Sequence, residues 1–377
     1  MTIEKMKVLT VVGTRPEIIR LSRVIPCLER NTRHVLVHTG QNYDYELNEV
    51  FFRDLELRKP DHFLSAAGDT PMQTIGNTLL RVDPVLEAER PDALLVLGDT
   101  NSCLAALAAK RRKIPVFHME AGNRCFDERV PEEINRRLVD HVSDVNLPYS
   151  ERARDLLLRE GLPPDRIVKT GSPMNEVLRH NLPKARASGV LGRLGLSPET
   201  YFVVSAHREE NVDDPARLRE LAATLNAIAA AHRARVIVST HPRTRTRIEA
   251  LGLAFDPLVE LHKPFGYHDY LWLQMAARAV LSDSGTITEE AAILGLRALN
   301  IREAHERMEG MEEGVVMMTG LDTTRVMQAL DIVLAQPPGT SGERRLPYDY
   351  DVANVSEKVL RIIVSYVDYV RRTVWRK

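Results

Sequence analysis

Nine short apolar runs punctuate the chain: KVLTVVG, HVLVHTG, ALLVLGD, VFHME, FVVSAH, RVIVSTH, LVELH, AVLSDSG and ALNIRE. Segments of helical pattern separate them, among them PEIIRLSRVIPCLER and DPARLRELAATLNAIAAAHR. Strands that are apolar throughout, alternating with helices, predict parallel sheets covered on both faces. Each run ends on Gly, His, Asp or Glu. Ligands of open α/β sheets bind in the crevice beyond the carboxyl ends of the strands, so these terminal polar residues are the first places to look for chemistry.

The alternation pauses at residues 172–200, a polar stretch with Pro and Gly, and then resumes. With 377 residues the chain exceeds one ordinary domain. The reading is of an α/β protein with two doubly wound, Rossmann-like domains. The first spans 1–178 and the second 179–352, and a C-terminal helix at 353–377 returns to the first domain. A second irregular stretch, AQPPGTSGERRLPYDYDVANVS, precedes that helix.

Composition removes several function classes. Apolar residues make up 44% and aromatics 5%, which suits a protein with sizeable buried cores. Fifty-one Lys and Arg against 52 Asp and Glu leave no basic field for a nucleic-acid backbone. Cys27, Cys103 and Cys125 match neither a metal spacing nor a disulfide framework, which predicts free thiols in a reducing cytoplasm. The opening MTIEKMKVLTVVG is too short in its apolar part for a secretory leader, and no run is long enough to span a bilayer. The amphipathic VSEKVLRIIVSYVDYVRRTVWRK is read as a docked helix rather than a membrane-surface element.

In the first half, Gly13-Thr14-Arg15-Pro16-Glu17 stands at a strand-to-helix turn in the position of a phosphate loop. Pro16 also suits the first turn of a helix, and the dinucleotide fingerprint G-x-G-x-x-G is absent. Asp99 and Glu120 end two successive strands, and Glu132-Glu133 opens a nearby helix. Asp99 alone reads as a helix cap and the paired glutamates as a charged first turn. Glu120 closes an apolar strand and is harder to explain so. Three carboxylates at one crevice are how a site separates an acid from a base, since repulsion and burial drive their pKa values apart. The tight His and Cys spacing of a zinc site is missing.

In the second half, His207 and His241 each end a strand beside an arginine, Arg208 and Arg243. Together they point to anion binding. Asp283-Ser284-Gly285-Thr286 forms a turn rich in hydroxyls before an acidic helix start, Glu289-Glu290. Backbone N–H groups at such a helix start can hold phosphate while a carboxylate takes ribose hydroxyls, and simple capping is the alternative. Carboxylates in one half and cationic groups in the other fit a substrate with a nucleoside diphosphate at one end and a neutral sugar at the other.

The motifs GTRPE, GDT, H-x-EAG, PEE-x-NR, H-R-x-E, DSG-x-x-x-EE and a later ER occur in this order over nearly the whole chain. The set resembles the non-hydrolysing UDP-N-acetylglucosamine 2-epimerases. The resemblance implies a glycosyltransferase-B-like fold with the active site in the interdomain cleft, neither metal nor NAD, a cytoplasmic homodimer, and UDP and a UDP-sugar as the only partners. It implies C2 epimerisation of a UDP-N-acetylhexosamine, UDP-GlcNAc to UDP-ManNAc. The C2 hydrogen has no adjacent carbonyl, so the family eliminates UDP across C1–C2 and adds it back to the 2-acetamidoglucal. Bases or acids on both faces of C2 and a firm grip on UDP are then required.

Carried over by position, the resemblance makes Asp99, Glu120 and Glu132 the catalytic carboxylates and puts His207 near the diphosphate. Arg15 and Arg136 contact substrate, Ser284 holds phosphate with the Gly285-Thr286 backbone, and Glu290 takes the ribose hydroxyls, with Glu289 as a cap. His241 and Arg307 complete the binding set. The chain departs from the commonest pattern in HTGQNYDYELNEVFF, in EAGNRC, in Arg20 where lysine is frequent, and in Met308 where proline usually follows ER. The first two features resemble the branch that makes UDP-N-acetyl-L-fucosamine from its talose epimer, so both sugars stay open. A glycosyltransferase of the same fold needs one catalytic base, a hydrolysing epimerase often carries a kinase domain, and a sugar-nucleotide sensor needs no intact carboxylates.

Overall fold

A computed structural model describes residues 5–41, 45–337 and 345–376. Residues 42–44 of the HTGQNYDYELNEVFF motif and 338–344 of the second irregular stretch lie outside the described residues. The chain forms two compact units: Met1–His180 with Tyr348–Lys377, and Asn181–Pro347. Each is a six-stranded parallel sheet of Rossmann-like type.

The first sheet contains β1 (Lys7–Val12), β2 (Arg33–His38), β3 (His62–Phe63), β4 (Ala93–Leu97), β5 (Val116–Met119) and β6 (Val145–Leu147), in the order β3-β2-β1-β4-β5-β6. The second contains β7 (Tyr201–Ser205), β8 (Arg235–Ser239), β9 (Val259–His262), β10 (Ala279–Ser282), β11 (Ala298–Asn300) and β12 (Met317–Met318), in the order β12-β11-β10-β7-β8-β9. Numbered from its own first strand, each sheet has the order 3-2-1-4-5-6, whose direction reverses between strands 1 and 4. The reversal falls between β1 and β4 in one unit and between β7 and β10 in the other. Every apolar run of the sequence is one of these strands. β3, β6 and β12 are two or three residues long, too short to show as runs.

Burial on both faces explains the unbroken apolar strands. Phe202, Val204, Val236, Val238 and Leu281 enter one core of the second unit, while their neighbours Tyr201, Val203, Ile237 and Val280 enter another. Leu9, Val11, Leu94, Val96 and Val116 anchor the core of the first unit.

Two segments differ from their sequence reading. PEIIRLSRVIPCLER is two helices, Arg15–Leu21 and Val24–Asn31. Pro26 supplies no N–H and its ring crowds the carbonyl four residues back, at Ser22. It sits in the first turn of the second helix, where no intrahelical N–H is needed, and the break falls at Ser22-Arg23. The 172–200 stretch is largely helical, with helices at Met174–Arg186 and Val190–Leu194. The last helix, Val355–Thr373, buries Val355, Val359, Ile363, Val367 and Val370 along one stripe, packs on the Val24–Asn31 helix, and belongs to the first unit. Among the described residues no helix is long and apolar enough to cross a membrane.

Candidate active site

The reversal of strand order in the first unit places the turn after β1 beside the turn after β4. A Cβ on Gly13 would stand 2.0 Å from Ser102 Oγ and 2.2 Å from Thr39 Oγ1, so only glycine lets these turns approach. Arg15 opens the following helix with its guanidinium 5.5 Å from the centre of the Phe51 ring, within reach of a cation–π contact. Asp99 follows β4 and accepts from Arg136 Nε at 2.7 Å. Its backbone carbonyl accepts from Asn135 Nδ2 at 2.9 Å. The Pro131–Val142 helix is thereby fastened to the Asp99 turn through its first two turns.

Glu120 follows β5, whose Met119 pairs with Leu97 of β4. Its φ is +64°, a left-handed conformation that side chains other than glycine rarely take and that costs about 1–3 kcal/mol. Arg20 Nη1 donates to its Oε2 at 2.7 Å, and both side chains are buried. A carboxylate at such a backbone, held by a buried arginine, is an arrangement the surrounding structure must enforce. Beneath it the buried His118 places Nε2 2.7 Å from the Gly98 carbonyl and Nδ1 2.9 Å from Asp140, which also pairs with Arg124 at 2.7 Å.

Of the two glutamates opening the Pro131–Val142 helix, Glu132 is half-buried and Glu133 fully buried. Glu133 accepts from Cys125 N at 3.0 Å, Phe126 N at 3.3 Å and Arg136 Nη1 at 2.9 Å. Burial alone would raise its carboxyl, but the bonds from Cys125 and the Arg136 charge bring it below its ordinary value. Glu133 thus holds Arg136, and Arg136 holds Asp99. Sequence reading gave Glu133 only a surface role. The signal that finds it is the 3.6 period: Glu133, Arg136 and Asp140 share the buried face of this helix.

In the second unit, Asp283 at the end of β10 is completely buried. It accepts from the backbone N–H groups of His207 and Arg208, at 2.8 and 2.9 Å, and from Asn211 Nδ2 at 3.2 Å. His207 Nδ1 lies 3.0 Å from its Oδ1. Burial would raise this carboxyl, yet His207 and these bonds bring it down to about 2. His207 itself, after β7, is 43% exposed, so its imidazole is anchored on one edge and open on the other. Asp283 was read only as part of a turn; its place after the AVLS run was the available signal.

Ser284 Oγ lies 2.9 Å from Thr286 Oγ1, and the helix Ile287–Leu294 follows. A Cβ on Gly285 would stand 2.8 Å from Glu306 Oε1. Glu290 is half-buried and accepts from Gln274 Nε2 at 2.9 Å. Glu289 is not an exposed cap: it is fully buried, with Arg307 Nε 3.5 Å away. Arg307 is buried with it, immediately before the short helix Met308–Glu312. Met308 thus stands at the first helical position, where proline is favoured but not needed. His241 follows β8 and is half-exposed; the Arg243 side chain lies outside the described residues. Among the described residues no group of three His, Cys, Asp or Glu could hold a metal ion.

Within the first unit Arg15 follows β1, Asp99 follows β4 and is bonded by Arg136, and Glu120 follows the next strand, β5. Within the second unit His207 follows β7, and Ser284, Gly285 and Thr286 follow its neighbour β10. Comparison with known proteins points the same way. The family model for UDP-N-acetylglucosamine 2-epimerase matches residues 27–364. A solved UDP-N-acetylglucosamine 2-epimerase from Rickettsia bellii is 51% identical with a TM-score of 0.92, over 99% of this chain and 100% of its own. The Methanocaldococcus jannaschii UDP-GlcNAc 2-epimerase, solved in complex with UDP-GlcNAc and UDP, is 33% identical with a TM-score of 0.89, over 96% of this chain and 100% of its own. A UDP-2,3-diacetamido-2,3-dideoxy-D-glucuronate 2-epimerase from Pseudomonas aeruginosa is 36% identical over 330 residues, 86% of this chain and 91% of that protein. The chain belongs to the UDP-N-acetylglucosamine 2-epimerase family, a family of isomerases.

Proposed function

We propose that the chain interconverts UDP-GlcNAc and UDP-ManNAc by elimination and re-addition of UDP. The observation that carries this reading is the pair Asp99 and Glu120, which follow neighbouring strands and are each held by a buried arginine. One carboxylate takes the C2 proton, the C2–H electron pair becomes the C1=C2 bond, and the C1–O bond leaves with UDP. Re-addition returns a proton to the other face of C2 and the UDP oxygen to C1. Glu132 completes the carboxylate set, and Arg15 and Arg136 contact the substrate. In the second unit His207, held by Asp283, faces the departing diphosphate as a hydrogen-bond donor. Ser284, Gly285 and Thr286 take phosphate oxygens, Glu290 takes the ribose hydroxyls, and His241 and Arg307 complete the nucleotide set. Relatives solved with UDP-GlcNAc, and in one case also UDP, support the nucleotide sugar as substrate. The same groups would serve UDP-2-acetamido-2,6-dideoxy-L-talose, the sugar that the EAGNRC sequence keeps open.

The reading includes a cytoplasmic homodimer. Three free cysteines suit a reducing compartment. Met72 and Leu80, Leu107, and Ile134 and Leu138 are exposed on three helices that pack in succession, Pro71–Glu89, Ala105–Arg111 and Pro131–Val142. Exposed apolar side chains on three successively packed helices are what the homodimer reading would cover. Positional isotope exchange tests the chemistry: oxygen-18 placed in the C1–O–P bridge must scramble into the non-bridging β-phosphate positions during turnover. Retention of the label in the bridge together with retention of the original C2 hydrogen in the epimer would refute elimination.

A further inference from the structure

Glu17 is a buried carboxylate that the mechanism above does not use. It lies in the first turn of the Arg15–Leu21 helix and is 1% exposed. Its two oxygens serve two different turns. Oε2 accepts from Gly13 N at 2.9 Å, Thr14 N at 2.7 Å and Thr14 Oγ1 at 2.8 Å, all in the turn that presents Arg15. Oε1 accepts from Thr100 Oγ1 at 3.0 Å, in the turn that presents Asp99. Cys103 Sγ stands 3.8 Å from the same oxygen.

A glutamate three residues after a threonine N-cap is a capping box, and that motif accounts for the bonds to Thr14. It does not account for the bond to Thr100 or for complete burial, which works against the charged form. We infer that Glu17 is a positioning residue that clamps the turn carrying Arg15 to the turn carrying Asp99. The inference rests on the epimerase reading, because it gives those two turns their importance.

The neighbours named above all donate to Glu17, two of them through backbone N–H groups that can only donate, so a carboxylate suits the cavity better than an amide. Burial nevertheless raises Glu17 to about 7, with the bonds from Thr14, Gly13 and Thr100 pulling the other way. The titratable group packed against it is Cys103, itself raised by burial and by the charges of Glu17 and Asp99, so that it stays a neutral thiol. The clamp therefore holds its full charge only above neutrality.

Glu17→Gln keeps the shape and turns one acceptor into a donor. Its kcat should fall at least about tenfold at pH 8, with UDP affinity within about twofold, because the loss is in catalytic geometry and not in nucleotide binding. The acid limb of the wild-type kcat profile near pH 7 should disappear. Thr100→Val cuts the bond from the Asp99 turn to Glu17, together with the Thr100 cap on Ser102 N, and leaves the Thr14 capping box intact; it should give a smaller loss that does not add fully to that of Glu17→Gln. A variant with a lowered Tm but wild-type kcat and an unchanged acid limb would reduce Glu17 to an ordinary cap. Should the wild type turn over neither UDP-N-acetylhexosamine, the epimerase reading falls, and the infrared carboxyl band still decides the clamp. The band titrating near pH 7 and lost in Glu17→Gln should move in Thr100→Val if the link exists. An unmoved band overturns it.

Discussion

Arg20 Nη1 lies 2.7 Å from Glu120 Oε2, with both side chains out of solvent and Glu120 on a left-handed backbone. The pair gives the carboxyl that ends an apolar strand a charged hydrogen-bond partner out of solvent. Removing one partner of a buried pair leaves an uncompensated charge and costs about 3–5 kcal/mol. Arg20→Met should therefore lower stability by that order and lower kcat, because Glu120 loses the donor that holds it. Arg20→Lys should keep kcat within about tenfold, since a lysine can still supply the donor that Glu120 Oε2 accepts. Denaturant melts and kcat measurements of the two variants check both statements.

Glu120→Gln should abolish turnover, a loss of about 10² to 10⁴ in kcat, while UDP binding measured by calorimetry stays within about threefold. Equal loss of both would make Glu120 a structural residue.

Two buried carboxylates should give stability opposite slopes with pH. Asp283 is held at about 2, below its unfolded 3.8, so its contribution is present above about pH 4 and lost as pH falls through 2. Glu17 is raised to about 7 from 4.5, so its contribution is present below 4.5 and lost as pH rises through 7. Each pKa unit corresponds to about 1.4 kcal/mol, so the swings are about 2 and 3 kcal/mol. Unfolding measured at pH 3, 5 and 8 should show the first slope flattened in Asp283→Asn and the second flattened in Glu17→Gln. Asp283→Asn should also lower kcat, because His207 loses the partner of its Nδ1.

Gly285→Ala places a methyl 2.8 Å from Glu306 Oε1, and Glu306 is committed to buried Arg302 at 3.1 Å. The neighbour cannot withdraw cheaply. A destabilisation of about 1–3 kcal/mol with weakened UDP binding is expected, measurable by thermal melts with and without UDP.

Leu80 is 74% exposed on the apolar helix face. Leu80→Glu should shift the sedimentation mass from dimer toward monomer with the far-UV spectrum unchanged. A wild type that sediments as a monomer would remove the association surface.

The strand pattern made the fold legible because parallel strands buried on both faces leave an unbroken apolar trace, as in ALLVL and FVVS. The short strands β3, β6 and β12 left none. Asp99, Glu120 and His207 were legible because each ends such a run. Glu133 and Asp283 were hidden for a different reason. Glu133 looks like any acid in a first helical turn, and only the folded helix turns it inward to Cys125 and Arg136. Asp283 looks like a turn former, and its ligands lie more than seventy residues earlier in sequence, brought to it by the pairing of β7 with β10. Glu289 and Glu290 are adjacent in sequence, yet one is buried against Arg307 and the other bonds Gln274.

The central claim is C2 epimerisation through loss and return of the C2 proton, and proton NMR of the protein incubated with UDP-GlcNAc in D2O tests it most directly. The account predicts UDP-ManNAc carrying deuterium at C2, with deuterium also entering the UDP-GlcNAc pool. Free ManNAc and UDP as the end products, or epimer formed with the original hydrogen retained at C2, would contradict it.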